Sequence, residues 1–238
     1  MVPITVMQME TSYENLQSAS ALNNCVYEEK NKSYYGLVRH DVLRLVPHGT
    51  KRLLDVGCGS GDTGFAAKQL LSVQEVIGIE FYEPAAEVAR RKLDQVVVGD
   101  VEQIALNFPE GYFDCILCAD VLEHTKNPWE VLRTLYHFLQ NDGVLIASIP
   151  NIRHIVPLLK IIADRFEYEE SGILDRTHLR FFTLHTIKNM FHQTGYRITQ
   201  MEANRSRSWK FTLLDLFFLG ILRPFSIYQY VVVAKKML

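Results

Sequence analysis

Short apolar runs alternate with amphipathic stretches through the middle of the chain. The runs are rich in Leu, Ile and Val, as buried strands of a parallel sheet are, whereas the stretches repeat their apolar residues at helical spacing. The pattern predicts strands at 53–56, 75–80, 96–98, 113–119 and 143–149, and helices at 62–71, 84–93 and 128–139. Strands and helices that alternate across short loops indicate an α/β fold in which helices cover both faces of a parallel sheet.

The regular alternation stops after the fifth predicted strand, and further elements lie on both sides of this core. The pattern predicts helices at 34–46, 151–163 and 184–194, and strands at 196–201 and 229–234. Pro47 and Gly49 end the first of these helices. The inserted segment after strand five is expected to overhang the edge of the sheet where ligands bind and to shape a substrate pocket.

A glycine-rich segment lies between the first predicted strand and the following helix. Gly57, Gly59 and Gly61 have no Cβ, so the backbone can approach a ligand closely, and the start of the helix offers free N–H groups to a negative group. Asp55 adds a carboxylate, which favours a ligand with a positive group and hydroxyls, such as S-adenosylmethionine. The segment 59–64 also fits the dinucleotide-binding pattern G-x-G-x-x-G, so the loop alone does not distinguish this ligand from NAD.

Acidic residues follow the next strands, where open parallel sheets bind their ligands. Glu80 ends the second strand 19 residues beyond Gly61, close to the spacing expected of a carboxylate that binds ribose hydroxyls. Asp100 follows the third strand, where it can accept a hydrogen bond from an adenine amino group, and Asp120 follows the fourth. Because the carboxyl ends of parallel strands meet at one edge, these side chains are predicted to share one site.

The segment 52–64, taken with Glu80 and Asp100, closely resembles the cofactor site of class I S-adenosylmethionine-dependent methyltransferases. The resemblance implies a single Rossmann-like, doubly wound seven-stranded sheet with an antiparallel last strand, an N-terminal helical lid and an insertion after strand five. S-adenosylmethionine would be the cofactor and S-adenosylhomocysteine the product. The candidate cofactor-binding residues are Asp55, Gly57, Gly59, Gly61, Glu80, Phe81, Asp100, Val101 and Asp120. Tyr35 or Arg39 would line the lid, or would simply pack on the helix surface.

Three histidines are candidates for the general base that takes a proton from the acceptor. The segment 120–124 resembles the motif after strand four of small-molecule methyltransferases, which flanks the transferred methyl group, and it contains His124. The string 175–183 resembles methyltransferases found with glycan, O-antigen and natural-product assembly enzymes, and it contains His178. His154 lies in the inserted helix. The alternatives are a capping or core role for His124 and an internal ion-pair clasp for 175–183.

Potential metal ligands and cysteines give no firm site. The segment 120–124 also resembles quinone-type O-methyltransferases, and that resemblance implies that Glu123 and His124 could hold a divalent ion. Two adjacent ligands are weak evidence for a metal, so none is predicted. Cys115 and Cys118 form a C-x-x-C pair inside a predicted strand, where a spacing of three directs the thiols to opposite faces. They are predicted to be buried and reduced, which suits a cytoplasmic protein.

Composition and charge exclude several classes of protein. With 238 residues, 48% of them hydrophobic, the chain can form one α/β domain with a substantial core. A formal net charge of −2 argues against a nucleic-acid partner. We expect no signal peptide, and no apolar run has the roughly 20 residues that span a bilayer. The apolar segment 209–225 is compatible with a buried helix, a peripheral membrane contact, a lipidic substrate or a homodimer contact.

The sequence therefore predicts a single-domain S-adenosylmethionine-dependent methyltransferase. Its predicted parts are a lid at 1–48, a cofactor-binding core at 49–150, a substrate-side insertion and helix at 151–195, and C-terminal strands at 196–238. The predicted reaction is in-line methyl transfer to oxygen of a small hydroxylated metabolite, sugar-containing acceptors included. Two alternatives stay open: a nicotinamide-dependent oxidoreductase, which leaves Asp100 and Asp120 unexplained, and a cofactor-binding pseudoenzyme or interaction module.

Overall fold

Seven strands form one sheet in the computed structural model, which describes residues 36–205, 215 and 220–237. The strands are β1 (Arg52–Val56), β2 (Glu75–Glu80), β3 (Gln95–Val98), β4 (Phe113–Ala119), β5 (Leu139–Pro150), β6 (Tyr196–Arg205) and β7 (Ile227–Lys236). They lie in the order β3-β2-β1-β4-β5-β7-β6, and β7 is antiparallel to both of its neighbours. The prediction of a seven-stranded sheet with an antiparallel last strand is confirmed.

Helices flank this sheet and bury apolar residues on it. They are α1 (His40–Leu43), α2 (Asp62–Leu71), α3 (Glu83–Ala89), α4 (Pro128–Phe138), α5 (Ile155–Ile162) and α6 (Leu184–Gln193), with single 3₁₀ turns at Leu122–His124 and Arg223–Ser226. The buried residues form two separate apolar clusters, and Cys115 belongs to one while Cys118 belongs to the other. Both thiols are fully buried and unpaired, as their spacing within β4 predicted.

The strand order places a ligand crevice between β1 and β4. From β1 the chain builds outward to β2 and β3 on one side, and β4 starts the other side. At such a reversal the loops that follow the two central strands diverge and open a crevice. The parallel register aligns Val56 with Ile79 of β2 and with Cys118 of β4, so these strands end at one edge. We call this edge the rim.

Three predicted helices are shorter than the pattern indicated. One of them is α3, which ends at Ala89 instead of residue 93. The structure describes α1 with four residues, where 34–46 were predicted, and residues 34 and 35 lie outside the described residues. After Leu43 the chain tightens, because Leu45 and Val46 donate to carbonyls three residues back instead of four. The inserted helix begins at Ile155 instead of 151, because His154 N donates to Asn151 O in a turn that precedes it. Most of the predicted lid, including Tyr35, lies outside the described residues.

The chain returns to the rim after β5, as predicted. The segment 151–183 contains α5 and a long loop, and Ile152 N donates to Phe182 O at 2.9 Å, which joins the two ends of the insertion. The apolar segment 209–225 is described only at 215 and 220–225, so its predicted helix lies mainly outside the described residues. Among residues 36–205, 215 and 220–237, no helix has the length and apolar character needed to cross a bilayer.

Candidate active site

The glycine loop after β1 turns back over the rim through three left-handed glycines. Gly57, Gly59 and Gly61 have φ angles of +67°, +54° and +77°, a region that residues with a Cβ rarely adopt. A Cβ on Gly57 would lie 2.6 Å from Val121 Cγ2, in the loop that follows β4. The loop therefore needs glycine both for its backbone angles and for its close packing against the neighbouring loop.

Glu80 lies beside this loop and binds its backbone. The residue is 7% exposed, and its carboxylate accepts hydrogen bonds from Gly59 N at 2.7 Å and from Tyr82 N at 2.8 Å. Burial raises the pKa of Glu80, and the backbone N–H groups partly offset that rise because they favour the ionised form. Each carboxylate oxygen accepts one of these bonds and can accept another. The group therefore has room to accept from two hydroxyls, and the predicted contact with a ribose stays a prediction.

Asp55 lies beneath the loop instead of on the rim. It is 3% exposed, and its Oδ2 lies 3.4 Å from the position that a Cβ on Gly64 would occupy. Within the described residues this oxygen has no hydrogen-bond partner. Burial, together with the charge of Glu80, raises the pKa of Asp55 to about 7. The position suits a residue that supports the loop from below, and direct contact with a ligand stays a prediction.

The buried Asp55 carboxyl gives the first testable prediction. Its pKa in the folded chain, about 7, lies above the ordinary value of 3.8, so the folded state holds the proton more tightly than the unfolded state does. The contribution to stability is therefore complete below pH 4 and is lost as the pH rises toward 7. We expect wild type to lose about 2 kcal/mol more than Asp55→Asn between pH 5 and pH 7, since one pKa unit corresponds to about 1.4 kcal/mol. Urea unfolding across this range measures the difference, and equal pH slopes would contradict the assignment.

Three more predicted residues follow β2 and β3 on the rim, and all are partly exposed. Phe81 and Val101 offer apolar surface near the carboxyl ends of these strands. The carboxylate of Asp100 stabilises the turn that follows it. Its Oδ1 accepts a hydrogen bond from Glu102 N at 2.9 Å, and its Oδ2 accepts one from Gln103 Nε2 at 2.8 Å. Each oxygen keeps capacity for one further hydrogen bond, which fits a contact with an adenine amino group.

Asp120 is held by a polar network that sequence reasoning missed. Its backbone is left-handed, with φ +56°, and its carboxylate accepts from Ser148 Oγ at 2.9 Å and from Gln229 Nε2. The other oxygen forms an ion pair with Arg39, which also binds Asp41. This network ties the segment before β1 to β5 and β7. Arg39 was predicted to line a lid, but only the folded chain brings it to Asp120.

The 3₁₀ turn after β4 meets the insertion at the rim. Glu123 O accepts from Leu179 N at 2.8 Å and from Arg180 N at 3.0 Å, so two backbone bonds join the turn to the string 175–183. The same contact brings His124 and His178 together, with their ring centroids 4.7 Å apart at an interplanar angle of 72°. Two candidate bases that lie far apart in the sequence therefore form one pair.

Backbone carbonyls select the tautomer that each ring has when it is neutral. His124 Nδ1 lies 3.1 Å from Thr177 O, and His178 Nδ1 lies 3.0 Å from Ile173 O. A carbonyl oxygen can only accept, so each Nδ1 carries the hydrogen, and the lone pair of each neutral ring is on Nε2. Glu123 lies beside the pair at 1% exposure, and burial raises the pKa of its carboxyl well above the ordinary range.

His154 stands apart as a helix cap. Its Nδ1 accepts from Val156 N at 3.4 Å at the start of α5, and burial lowers its pKa. Arg180 attaches the string 175–183 to the segment after the turn, because its Nε donates to the backbone carbonyl of Lys126 at 3.0 Å. The internal ion-pair clasp stays a prediction. The string is thus joined to the turn after β4 through backbone groups, which sequence patterns do not reveal.

Comparison with known proteins agrees with the fold and the loop. A protein family described as "Methyltransferase domain" matches residues 27–201. The chain is 32% identical over 111 residues to a ubiquinone biosynthesis O-methyltransferase of Glaesserella parasuis, a match that covers 42% of this chain and 46% of that protein. It is 29% identical over 133 residues to a ubiquinone/menaquinone biosynthesis C-methyltransferase of Yersinia pestis, covering 53% of this chain and 51% of that protein. The chain thus spans about half the length of each of these relatives.

A solved structure has the same fold. The crystal structure of an S-adenosylmethionine-dependent methyltransferase from Archaeoglobus fulgidus superimposes with a TM-score of 0.62. The match covers 79% of this chain and 87% of that chain at 21% sequence identity. At this identity the likeness establishes the fold alone, whereas the family match covers the glycine loop, the acidic residues of the rim and the His124–His178 pair.

Proposed function

This chain belongs to the class I S-adenosylmethionine-dependent methyltransferases, and we propose that it transfers a methyl group to a hydroxyl oxygen of a small metabolite. The acceptor that we favour carries several hydroxyl groups, as a sugar does. The observation that carries this proposal is the His124–His178 pair, which lies at the turn after β4 with its ring centroids 4.7 Å apart. Imidazole is the group that most often removes a proton near neutral pH.

The residues of the rim fit the cofactor of this family. S-adenosylmethionine supplies a methyl group on a sulfonium sulfur, which makes that carbon open to in-line displacement. We assign the two oxygens of Glu80 to the ribose hydroxyls and Asp100 to the adenine amino group. The assigned cofactor site is completed by Asp55, Gly57, Gly59, Gly61, Phe81, Val101 and Asp120. Within this set the glycines offer close backbone approach, Phe81 and Val101 pack on the adenine, and Asp55 supports the loop.

We assign the turn Leu122–His124 and the insertion 151–183 to the methyl acceptor, and we call them the acceptor side. This side positions the acceptor and supplies a base for its proton. The backbone bonds from Leu179 and Arg180 to Glu123 O fix the insertion against the turn after β4, so an acceptor held between them is aligned with the rim. Correct alignment of the reacting groups can contribute several kcal/mol to the rate. Nε2 of His124 or His178 takes the hydroxyl proton as the bond from oxygen to the methyl carbon forms, while the bond from that carbon to sulfur breaks and S-adenosylhomocysteine leaves. His154 is the third candidate, although its Nδ1 already caps α5.

The names of the relatives support a small molecule as the methyl acceptor. They do not agree on whether the methyl group goes to oxygen or to carbon. One relative is named an O-methyltransferase and the other a C-methyltransferase, both of quinone biosynthesis. We favour oxygen, because a hydroxyl must lose a proton and the described chain places two imidazoles together. A cofactor-binding pseudoenzyme with the same fold would bind the donor without transferring its methyl group. We treat residues 1–238 as a single methyltransferase domain.

Transfer of a radioactive methyl group tests this proposal. We expect tritium from S-adenosyl[methyl-³H]methionine to enter at least one acceptor of a panel of catechols and sugars, with the methyl group on oxygen in the NMR spectrum. His178→Asn should lower kcat about 100-fold, the usual contribution of a general base, with little change in donor affinity. His137→Asn, an exposed substitution on α4, should leave kcat unchanged. A methyl group on carbon would contradict the proposed acceptor atom, and donor binding without transfer would favour the pseudoenzyme.

A further inference from the structure

We propose that Glu102 and Arg180 are positioning residues that connect the donor site to the insertion through one peptide unit. This unit lies between Lys126 and Asn127, and we call it the bridge peptide. Its N–H donates to Glu102 Oε1 at 2.7 Å, and its carbonyl accepts from Arg180 Nε at 3.0 Å. A carboxylate at one end and a guanidinium at the other polarise the peptide in the same direction, so the two hydrogen bonds strengthen each other.

The donor end of this connection is the turn that follows β3. The N–H of Glu102 donates to Asp100 Oδ1 at 2.9 Å, and Gln103 N and Ile104 N both donate to Asp100 O at 2.9 Å. These bonds fix Glu102 relative to the carboxylate that we assign to the adenine amino group. The second oxygen of Glu102, Oε2, accepts from Lys126 N at 2.8 Å. A ligand that orders Asp100 therefore also orders the bridge peptide.

The other end is Arg180 of the insertion. Its guanidinium donates to Lys126 O through Nη2 as well as Nε, and its backbone N–H donates to Glu123 O at 3.0 Å. Arg180 thus contacts both ends of the segment 123–126, and Leu179 N adds a second bond to Glu123 O. The position of the insertion therefore depends on where the bridge peptide is held.

The contacts of Glu102 differ from those of a helix cap. The N-cap of α4 is Asn127, whose own side chain accepts from Glu130 N at 3.4 Å, and Pro128 fills the first helical position, where it has no N–H to satisfy. The two N–H groups that Glu102 binds belong to Lys126 and Asn127, before the first residue of the helix. Glu102 therefore joins two loops of the rim.

The bridge has a closed state, in which both of its ends are bonded, and an open state. Both residues of the bridge peptide and Arg180 are exposed, and Glu102 is partly exposed. Hydrogen bonds of exposed backbone open locally at a low free energy. A donor that binds Asp100 favours the closed state, and by linkage closure tightens donor binding by the same factor. This inference rests on the proposed function for its donor site, but its test needs no acceptor.

Affinity for S-adenosylhomocysteine tests the bridge. Arg180 lies outside the assigned cofactor site, yet we expect Arg180→Ala to raise the Kd about tenfold, within the roughly 5–150-fold range of coupled sites. Glu102→Gln keeps one accepting oxygen for two N–H groups and should raise the Kd by a similar factor. The double variant should also bind about tenfold more weakly, instead of about 100-fold, because either substitution alone opens the bridge. Calorimetric titration measures these constants.

Matched variants separate the bridge from a general effect of charge. Glu130→Gln removes an exposed acid in the first turn of α4 that pairs with Arg133, and it should bind S-adenosylhomocysteine as wild type does. Arg180→Lys keeps the charge and a donor for Lys126 O, so it should restore most of the affinity that Arg180→Ala loses. Because Arg180 is exposed, its variants test the proposal even if Glu102→Gln does not fold.

Amide exchange followed by NMR reports on the insertion directly. With saturating S-adenosylhomocysteine, the Leu179 amide should exchange about tenfold more slowly in wild type, but within about twofold of its ligand-free rate in Glu102→Gln. An unchanged Kd in Arg180→Ala, additive losses in the double variant, or equal protection of Leu179 in wild type and Glu102→Gln would each overturn the proposal. Absence of S-adenosylhomocysteine binding by wild type would instead contradict the donor assignment, and the bridge with it.

Discussion

Glu80→Ala is expected to weaken S-adenosylmethionine binding about 100-fold. The carboxylate lies at the end of β2, 7% exposed, and we assign both of its oxygens to the ribose hydroxyls. Hydrogen bonds to a charged group contribute about 1.5–3 kcal/mol each, so the loss of two gives roughly 3 kcal/mol, which corresponds to about two orders of magnitude in Kd. Equilibrium dialysis with tritiated S-adenosylmethionine measures this Kd directly.

Two further variants separate the ligand contact from support of the loop. Glu80 also accepts from Gly59 N and Tyr82 N, so its removal leaves two backbone donors without this acceptor. Glu80→Gln keeps the shape and one accepting oxygen, and we expect it to weaken binding about tenfold. Glu83→Ala removes an exposed acid at the start of α3 and should leave the Kd unchanged. A folded Glu80→Ala protein that binds S-adenosylmethionine within about threefold of wild type would contradict the assigned role.

Gly57→Ala is expected to lower the free energy of unfolding by about 3 kcal/mol. An alanine at φ +67° costs about 1–2 kcal/mol, and a Cβ placed 2.6 Å from Val121 Cγ2 adds an overpacking cost of about 1–3 kcal/mol. Because Val121 lies directly before the turn Leu122–His124, its displacement should also disturb the acceptor side. Urea unfolding measures the loss of stability, and kcat for methyl transfer measures the disturbance.

Gly49 provides a matched control for this substitution. Its φ is +84°, but a Cβ there would have no atom within 4 Å, so Gly49→Ala should cost only the backbone strain, about 1 kcal/mol. Adding Val121→Ala to Gly57→Ala removes the methyl group that clashes and should recover about 1 kcal/mol or more. If Gly57→Ala is no more destabilising than Gly49→Ala, the close packing of position 57 against Val121 is not what requires glycine there.

Strands could be predicted well because burial leaves a clear local pattern. The runs at 75–80 and 113–119 have the bounds of β2 and β4, and Cys115 and Cys118 lie in different apolar clusters as alternation requires. The helix at 34–46 was overextended, because spacing alone does not show that hydrogen bonds tighten after Leu43. Periodicity reports which residues are buried, but it does not report the hydrogen-bond pattern at an element's end.

Some residues of the candidate site could likewise be found from their position in the sequence, whereas others come together only in the folded chain. Glu80 and Asp100 were found on the rim because their distance from the strand ends is a matter of sequence position. The network of Arg39, Asp120 and Gln229 joins segments from the start, middle and end of the chain, and no spacing rule links them. The approach of His178 to His124 depends on backbone bonds between the insertion and the turn after β4. Because His178 lies beside His124, the structure groups three potential metal ligands, Glu123, His124 and His178, where the sequence indicated only the first two.

Calorimetric titration of the wild-type chain with S-adenosylhomocysteine, S-adenosylmethionine and NAD tests the central claim most directly. We expect micromolar binding of both adenosyl ligands, which corresponds to about −8 kcal/mol, and no heat of binding with NAD. The glycine loop alone is compatible with either kind of ligand, so this comparison rests on Glu80, Asp100 and the rest of the rim. Binding of NAD in place of the adenosyl ligands, or of none of the three, would contradict the account.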